Sequence, residues 1–217
     1  MTDTPNGMLF VASDIDPADE ADFNAWYDRE HVEERARIAG FISGARYRSL
    51  AGGKRYLGLY RTRSLEVFTS SAYKAAFARQ TPWSVANLDR MLAPSRRVAE
   101  VLATTGQGSG AWLGVLTLDT QVPKEELHLQ LAELGQKFSQ TPGFIQTYLL
   151  YPDTPLSTPL PKESLEGRRL LPIFILEASS QEACESISRG IAAALAPCLC
   201  ETAIYALQWK LYAAELS

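Results

Sequence analysis

Three observations predict an α+β fold of two tandem βαββαβ units in this 217-residue chain. First, Asp119 lies 103 residues after Asp16, and Gly143-Phe144-Ile145 lies 103 residues after Gly40-Phe41-Ile42, with no gap between the anchors. Second, the context of each anchor recurs: an apolar strand-like run ending in the aspartate, a helical pattern, then a glycine that closes the helix before a β-rich run. Third, YLGLY, LLPIFIL and YALQWKLY carry apolar residues at consecutive positions, so both faces of each sheet need cover.

In the first unit, residues 1–105, GMLFVASDI reads as a strand and Pro17 to Ile38 as a helix opened by Asp16. FISGARYRSL and KRYLGLYRTR form a hairpin over Ala51-Gly52-Gly53. SLEVFTSSAYKAAFARQ follows as a second helix and RRVAEVLAT as the last strand. In the second unit, residues 106–217, the order returns as AWLGVLTLD, PKEELHLQLAELGQKFSQ, FIQTYLLY, RLLPIFILEA, SQEACESISRGIAAAL and TAIYALQWKLYAAEL. TTGQGSG, Thr104 to Gly110, has the small, flexible composition of a linker. A βαββαβ unit makes a four-stranded antiparallel sheet with both helices on one face, the ferredoxin-like arrangement. Each bare sheet face can then cover the other.

Composition narrows the function. With 46% hydrophobic and 21% charged residues the chain is globular, and a net charge of −4 offers no field for nucleic acid phosphates. No basic segment leads into an apolar leader, and no apolar run is long enough to span a bilayer, so a cytoplasmic protein with no membrane partner is expected. Cys184, Cys198 and Cys200 lack the paired spacing of a zinc site or disulfide framework. They are expected to be small buried hydrophobes rather than a redox or metal pair at Cys198-x-Cys200.

The tandem pattern, with WYDREHVEE in the first helix followed by Gly40-Phe41, AYKAAF and TPWS, resembles the dimeric α+β barrel superfamily and within it the EthD-like proteins. The architectural resemblance covers nearly the whole chain; the motifs lie in its first half. It implies two sheets packed face to face as a barrel within one polypeptide, a fused pseudodimer that stays monomeric or dimerises again. It also implies a ligand cleft between a sheet and its helices. Members include monooxygenases, cyclases, isomerases and haem enzymes, so the fold selects no reaction.

The first helix carries the candidate site. At about 100° per residue, Phe23, Tyr27 and Ile38 share an arc facing the sheet, with Trp26 to one side and His31 and Asn24 at the edge. In the second unit the continuous apolar stripe Leu127, Leu131, Leu134, Phe138 falls opposite Asn24, Asp28, His31 and Arg35 at the constant offset. Four polar positions facing a sheet must meet a cavity, water, ligand or ion pair, since burying them unpaired costs about 1–3 kcal/mol each or more. The expectation is one working cleft in the first unit and a filled counterpart in the second. A roll of the helix would instead place Asp28 and Arg35 in solvent, the reading favoured for those two, with exposed pairs such as Asp28 with Arg35 or Glu33 with Arg37.

His31 is therefore the candidate catalytic residue, and Asn24, Trp26, Tyr27, Tyr56, Tyr60 and Trp83 are candidate substrate-binding residues. Tyr56 and Tyr60 share a strand face across Gly58, whose missing side chain leaves floor space. Pro82 is read as halting or kinking the second helix, so that Trp83 folds over its end. Against these stand packing roles, for Trp26 and Tyr27 above all. The chain has no GxSxG, Walker, HExxH or GxGxxG motif, and only two histidines, His31 and His128, so no metal site is expected. One imidazole with phenols suits proton transfer, or oxygenation without a cofactor, on a small hydrophobic, aromatic or enolisable molecule. Alternatives are a pocket that only binds its ligand, an oligomeric interface, and haem held by His31. The proline-rich PDTPLSTPLPKESLEG, residues 152–167, is expected to cover a barrel edge or contact a second chain rather than act as a lid, because it belongs to the unit with the filled cleft.

Overall fold

The computed structural model describes residues 6–216; Met1 to Pro5 and Ser217, which the sequence reading places at the outer ends of the two units, lie outside the described residues. Eight strands form: β1 Gly7–Asp14, β2 Phe41–Ala51, β3 Tyr56–Thr62, β4 Leu92–Gly106, β5 Trp112–Leu118, β6 Phe144–Pro152, β7 Ile173–Ala178 and β8 Leu199–Tyr212. They close into one barrel in the order β1-β3-β2-β8-β5-β7-β6-β4. Each half supplies a four-stranded sheet, β4-β1-β3-β2 and β8-β5-β7-β6. Antiparallel seams between β2 and β8 and between β4 and β6 join them. The chain is thus two tandem ferredoxin-like units sharing one barrel. Part of the expected linker is strand, because Thr105 and Gly106 continue β4 opposite Thr147 and Gln146.

Strand alternation sorts the cores. Met8, Phe10 and Ala12 of β1 point into the barrel with Leu57, Leu59, Leu113, Val115, Ile173 and Ile175. Leu9 and Val11 point the other way, toward the first unit's helices. The second unit repeats this outside the barrel with Leu116, Leu118, Phe174 and Leu176 under its helices. Gly40 and Gly143, which close the first helix of each unit, both have positive φ, +94° and +84°, the conformation that favours glycine.

The helices are α1 Glu20–Trp26, α2 Val32–Ala36, α3 Ser71–Ala78, α4 Pro82–Arg90, α5 Lys124–Phe138 and α6 Gln181–Ala194. Three boundaries depart from the sequence reading. Asp16 caps a turn, accepting the Ala18 amide at 2.8 Å, and the helix itself begins at Glu20. A π turn, Tyr27–His31, joins α1 to α2. Pro82 opens a helix instead of ending one: it occupies the first turn of α4, where a missing N–H costs nothing, while Thr81 Oγ1 accepts the Ser84 amide at 3.0 Å.

The proline-rich excursion between β6 and β7 crosses to the first unit. Ser157 Oγ accepts from Val98 N at 3.0 Å and donates to Val98 O at 3.1 Å. Glu163 accepts the Arg96 amide at 3.2 Å, and Arg168 donates to Arg96 O at 3.1 Å. The excursion covers the stretch of β4 that β6 does not reach, as expected of an edge cover. Its membership of the second unit, however, is no guide to where it acts. Of the cysteines, Cys184 is buried, Cys198 half-buried and Cys200 exposed, so the buried-hydrophobe expectation fails for Cys200. Among the described residues no helix is long and apolar enough to cross a membrane.

Candidate functional site

The buried positions of the first helical segment run Phe23, Tyr27, Val32, Ala36 and, beside them, Trp26, His31, Arg35. Each row contains one step of five, 27 to 32 and 26 to 31, where an α-helix would step by three or four. The π turn supplies the extra residue, rephasing everything after it. This corrects the reading of Arg35. A uniform wheel leaves it free to be solvated, whereas it is 3% exposed and faces the sheet. Asp28 does reach solvent, but pairs with Arg46 rather than Arg35; Glu33 and Arg37 form the expected exposed pair at 2.7 Å.

His31 sits within an aromatic box. Its ring lies 4.2 Å from Trp26, 5.1 Å from Tyr27 and 6.2 Å from Tyr60, centroid to centroid. The imidazole is buried, and its Nδ1 has no hydrogen-bond partner among the described residues. Burial first, and the positive charges of Arg35 and Arg46 second, hold its pKa well below the usual histidine value, so the ring is neutral. The Tyr60 hydroxyl is likewise buried, beside the Tyr27 hydroxyl and short of good hydrogen-bond geometry with it, and burial first and Tyr27 second push its pKa well up.

His31, Arg35 and Tyr60 border a void walled by Leu9 and Val11 of β1, Leu88 of α4 and Met91 just after it, Phe77 and Gln80 at the end of α3, Arg96 of β4, and Leu160 of the excursion. The space open to a water's centre is about 30 Å³, enough for one or two waters. A wall of the first-unit void thus comes from the excursion. Arg96 holds that wall in place, donating to Leu156 O and Thr158 O at 2.9 Å and to Tyr73 Oη at 3.0 Å.

The other sequence candidates are engaged elsewhere. Trp26 backs the His31 ring, and its indole N–H donates to Ser84 Oγ at 3.0 Å. Tyr27 faces Arg46, whose guanidinium carbon lies 4.4 Å from its ring centroid and 4.7 Å from that of Tyr56. The side-chain oxygen of Asn24 accepts from Arg46, and the Tyr56 hydroxyl donates to Glu20, so neither borders the void. Trp83 donates to Asp22 at 3.1 Å on the outer side of α1 and does not border the void. The space over Gly58 is filled by the ring of Tyr60, which a Cβ there would meet at 3.1 Å. Sequence reasoning missed Arg96 and Leu160 as neighbours of His31, and for Arg35, one of the four polar positions opposite the leucine stripe, it favoured solvent. For Arg35 a signal existed: Val32, apolar and five residues after Tyr27, fits the buried face only if the helix carries an extra residue.

The second unit presents a different surface at the equivalent place. Leu127 and Leu131 are buried, and Leu134 and Phe138 pack on the same core with Ile187, Ile191 and Cys184. Among the described residues no cluster of three His, Cys, Asp or Glu side chains could hold a metal ion. Haem does not fit the first-unit site, because the void is of water size and the His31 ring is enclosed by Trp26, Tyr27 and Tyr60.

No protein-family model and no curated protein matches this chain. Solved structures do. An anthrone oxidase-like protein superposes with a TM-score of 0.65 at 14% identity over 97% of this chain and 94% of that one. A protein from Lactobacillus acidophilus, provisionally assigned as a monooxygenase, gives 0.57 at 9% identity over 97% of each chain. A heme-binding protein from Thermus thermophilus gives 0.51 at 10% identity over 94% and 91%. At these identities the likeness is one of fold, and that fold is the dimeric α+β barrel, here completed within a single polypeptide.

Proposed function

We propose that the chain is a small-molecule enzyme of the EthD-like kind whose working cleft is the void beside His31 in the first unit, residues 1–105, while the second unit's cleft, residues 106–217, is plugged by Leu127 and Leu131. The observation that carries this reading is the neutral, unpartnered imidazole at the edge of a mostly apolar cavity. A neutral imidazole accepts a proton. With the carbonyl and α-carbon of an enolisable aromatic ketone in the void and its ring outside, His31 takes the α-proton, the C–H pair becomes the C=C bond of the enolate, and the C=O π pair moves onto the oxygen, to which Tyr60 donates. The enolate either is reprotonated by the imidazolium or gives its carbon electron pair to O₂, the oxidant, forming a C–O bond and a peroxide that takes the proton from the imidazolium to become a hydroperoxide. The anthrone oxidase-like and monooxygenase-assigned relatives in fold lend support to the oxygenation branch. Three free thiols accord with a cytoplasmic setting, and the first unit's WYDREHVEE with the EthD-like assignment.

The test is hydrogen exchange at the α-carbon of a panel of aromatic and 1,3-diketones in D₂O, followed by NMR, with O₂ uptake measured in parallel. The expected result is exchange that falls at least a hundredfold in His31→Ala. Exchange equal in the two proteins would remove His31 as the base, and binding without exchange would leave a sequestering pocket.

A further inference from the structure

Arg35 is a buried charge whose one ion pair is long and partly exposed. Its side chain is 4% exposed, and its nearest carboxylate, Glu34, lies 4.0 Å away and is itself one-third exposed. Among the described residues its Nε has no hydrogen-bond partner. Its guanidinium lies over the ring of Phe77, with Cζ 5.2 Å from the ring centroid. The other two buried arginines of this unit are provided for: Arg46 by Asp28 and Asn24, Arg96 by backbone carbonyls and Tyr73. An arginine stays protonated at any physiological pH, so it cannot escape burial by becoming neutral. A buried charge that is unpaired costs several kcal/mol, and a fold retains one where something else supplies the opposite charge.

That something has one place to sit. Arg35 lines the same void as His31 and Tyr60, both of which carry a buried polar atom with no partner. Three polar side chains of different chemistry border one small space, whose other walls are apolar apart from Gln80 and Arg96. We propose that the void receives the negative oxygen of a hydrophobic monoanion, a carboxylate or the enolate or phenolate form of an aromatic substrate, with Arg35 as its counter-ion and the apolar tail leaving between Phe77 and Gln80. Phe77 is 39% exposed, which sets the mouth of the cavity at the end of α3. The proposal rests on the cleft reading above and adds the sign of the ligand's charge. It also assigns Arg35 a task that His31 cannot perform: a guanidinium stabilises developing negative charge without moving a proton.

The experiment titrates ¹⁵N-labelled protein with acetate and benzoate and with their neutral isosteres acetamide and benzamide, following the indole N–H resonances, of which Trp26 reports directly on the His31 face. The acids are expected to shift the Trp26 resonance saturably and the amides to bind at least tenfold more weakly. In Arg35→Gln and Arg35→Met the acid affinity should fall at least tenfold, with partial rescue in Arg35→Lys. Thermal melting of the same variants separates a binding role from a structural one. Removing a poorly compensated buried charge should leave the melting temperature unchanged or raised, whereas a melting temperature that drops in both variants would make Arg35 a structural residue and overturn the proposal. Acids and amides binding alike would overturn the charge assignment while leaving the cleft intact. Neither class shifting the Trp26 resonance would end both.

Discussion

The imidazole of His31 lies against the indole of Trp26, ring centroids 4.2 Å apart and planes at 35°. Trp26 is in turn pinned by its N–H to Ser84 Oγ on α4, and Ser84 donates to Glu30 Oε1 at 3.0 Å. The wall behind His31 is therefore held from two helices. That explains how a titratable ring can be kept out of water beside a void.

This burial has a pH signature. The folded state holds the His31 pKa well below its unfolded value, burial being the larger cause and the neighbouring arginines the smaller. Between the two values the unfolded chain binds more protons than the folded one, so stability rises with pH. The contribution is present above pH ~6.5, the unfolded value, and is lost as pH falls below it toward the folded value. Urea denaturation from pH 5 to 8 should show wild-type protein losing stability below pH ~6.5 more steeply than His31→Gln. The Cε1 proton of His31 should show no titration between pH 6 and 8. A normal titration curve would place the ring in water.

Arg46 yields a second prediction. It is 1% exposed, its guanidinium lies between the rings of Tyr27 and Tyr56, and Nη1 reaches Asp28 Oδ1 at 3.1 Å. The same carboxylate oxygen accepts from the indole N–H of Trp209 on β8 at 2.8 Å, so Asp28 ties the first helix to a strand of the other unit. Asp28→Ala leaves the Trp209 indole N–H without its acceptor and the buried Arg46 charge without its carboxylate, held only by the two Asn24 oxygens. The expected loss is about 2–3 kcal/mol, read as a lower urea midpoint with an unchanged m-value. A shift below ~0.5 kcal/mol would mean that water replaces the carboxylate at no cost.

What was legible in the sequence, and what was not, divides along a physical line. Strand order, the barrel and the filled helix face at Leu127 and Leu131 follow from periodicity, because alternation and the three-to-four step are local consequences of backbone geometry. Arg35 was hidden because the wheel assumes a uniform helix, and a single π turn between Tyr27 and His31 rotates every later residue. Pro82 is ambiguous in sequence because proline ends one helix and begins another with equal ease, and the Thr81 cap decides for the beginning. Leu160 was hidden for a different reason. An irregular excursion carries no period, so its destination depends on Arg96, Glu163 and Arg168, partners distant in sequence.

Gly44 tests the close fit that the π turn makes possible. A Cβ there would lie 2.8 Å from Val32 Cγ1 and 3.0 Å from Tyr60 Cδ1. Val32 is the residue that the five-step places on the sheet, and Tyr60 borders the void. Gly44→Ala must push one or both aside, at about 1–3 kcal/mol for overpacking. Because Tyr60 would move with it, ligand-induced shifts at Trp26 should weaken in the same variant. Gly44→Ala with wild-type stability would show that Val32 yields freely and that the helix is not seated by this contact.

The excursion supplies the last prediction, because it links a charge network to access. Glu163 is almost buried, accepts the amides of Leu160 at 3.0 Å and Arg96 at 3.2 Å, and pairs with Arg168 Nε at 2.7 Å. Those bonds fix Leu160 as a wall of the His31 void. Glu163→Gln keeps the shape but removes the charge facing Arg168, and its amide nitrogen cannot accept where a carboxylate oxygen did. Freed from one end, residues 154–168 should exchange their amide hydrogens at least tenfold faster and be cut sooner by trypsin at Lys162 or Arg168, while amides of β5 and β7 keep their protection. Leu160→Ala is the companion variant. It leaves the ion pair intact, enlarges the void at a cost of about 2–3 kcal/mol, and should let larger ligands bind without accelerating exchange in the excursion. If Glu163→Gln instead left both exchange and cleavage unchanged, the backbone bonds of Ser157 to Val98 would suffice to hold the segment, and Glu163 would have no part in closing the cavity.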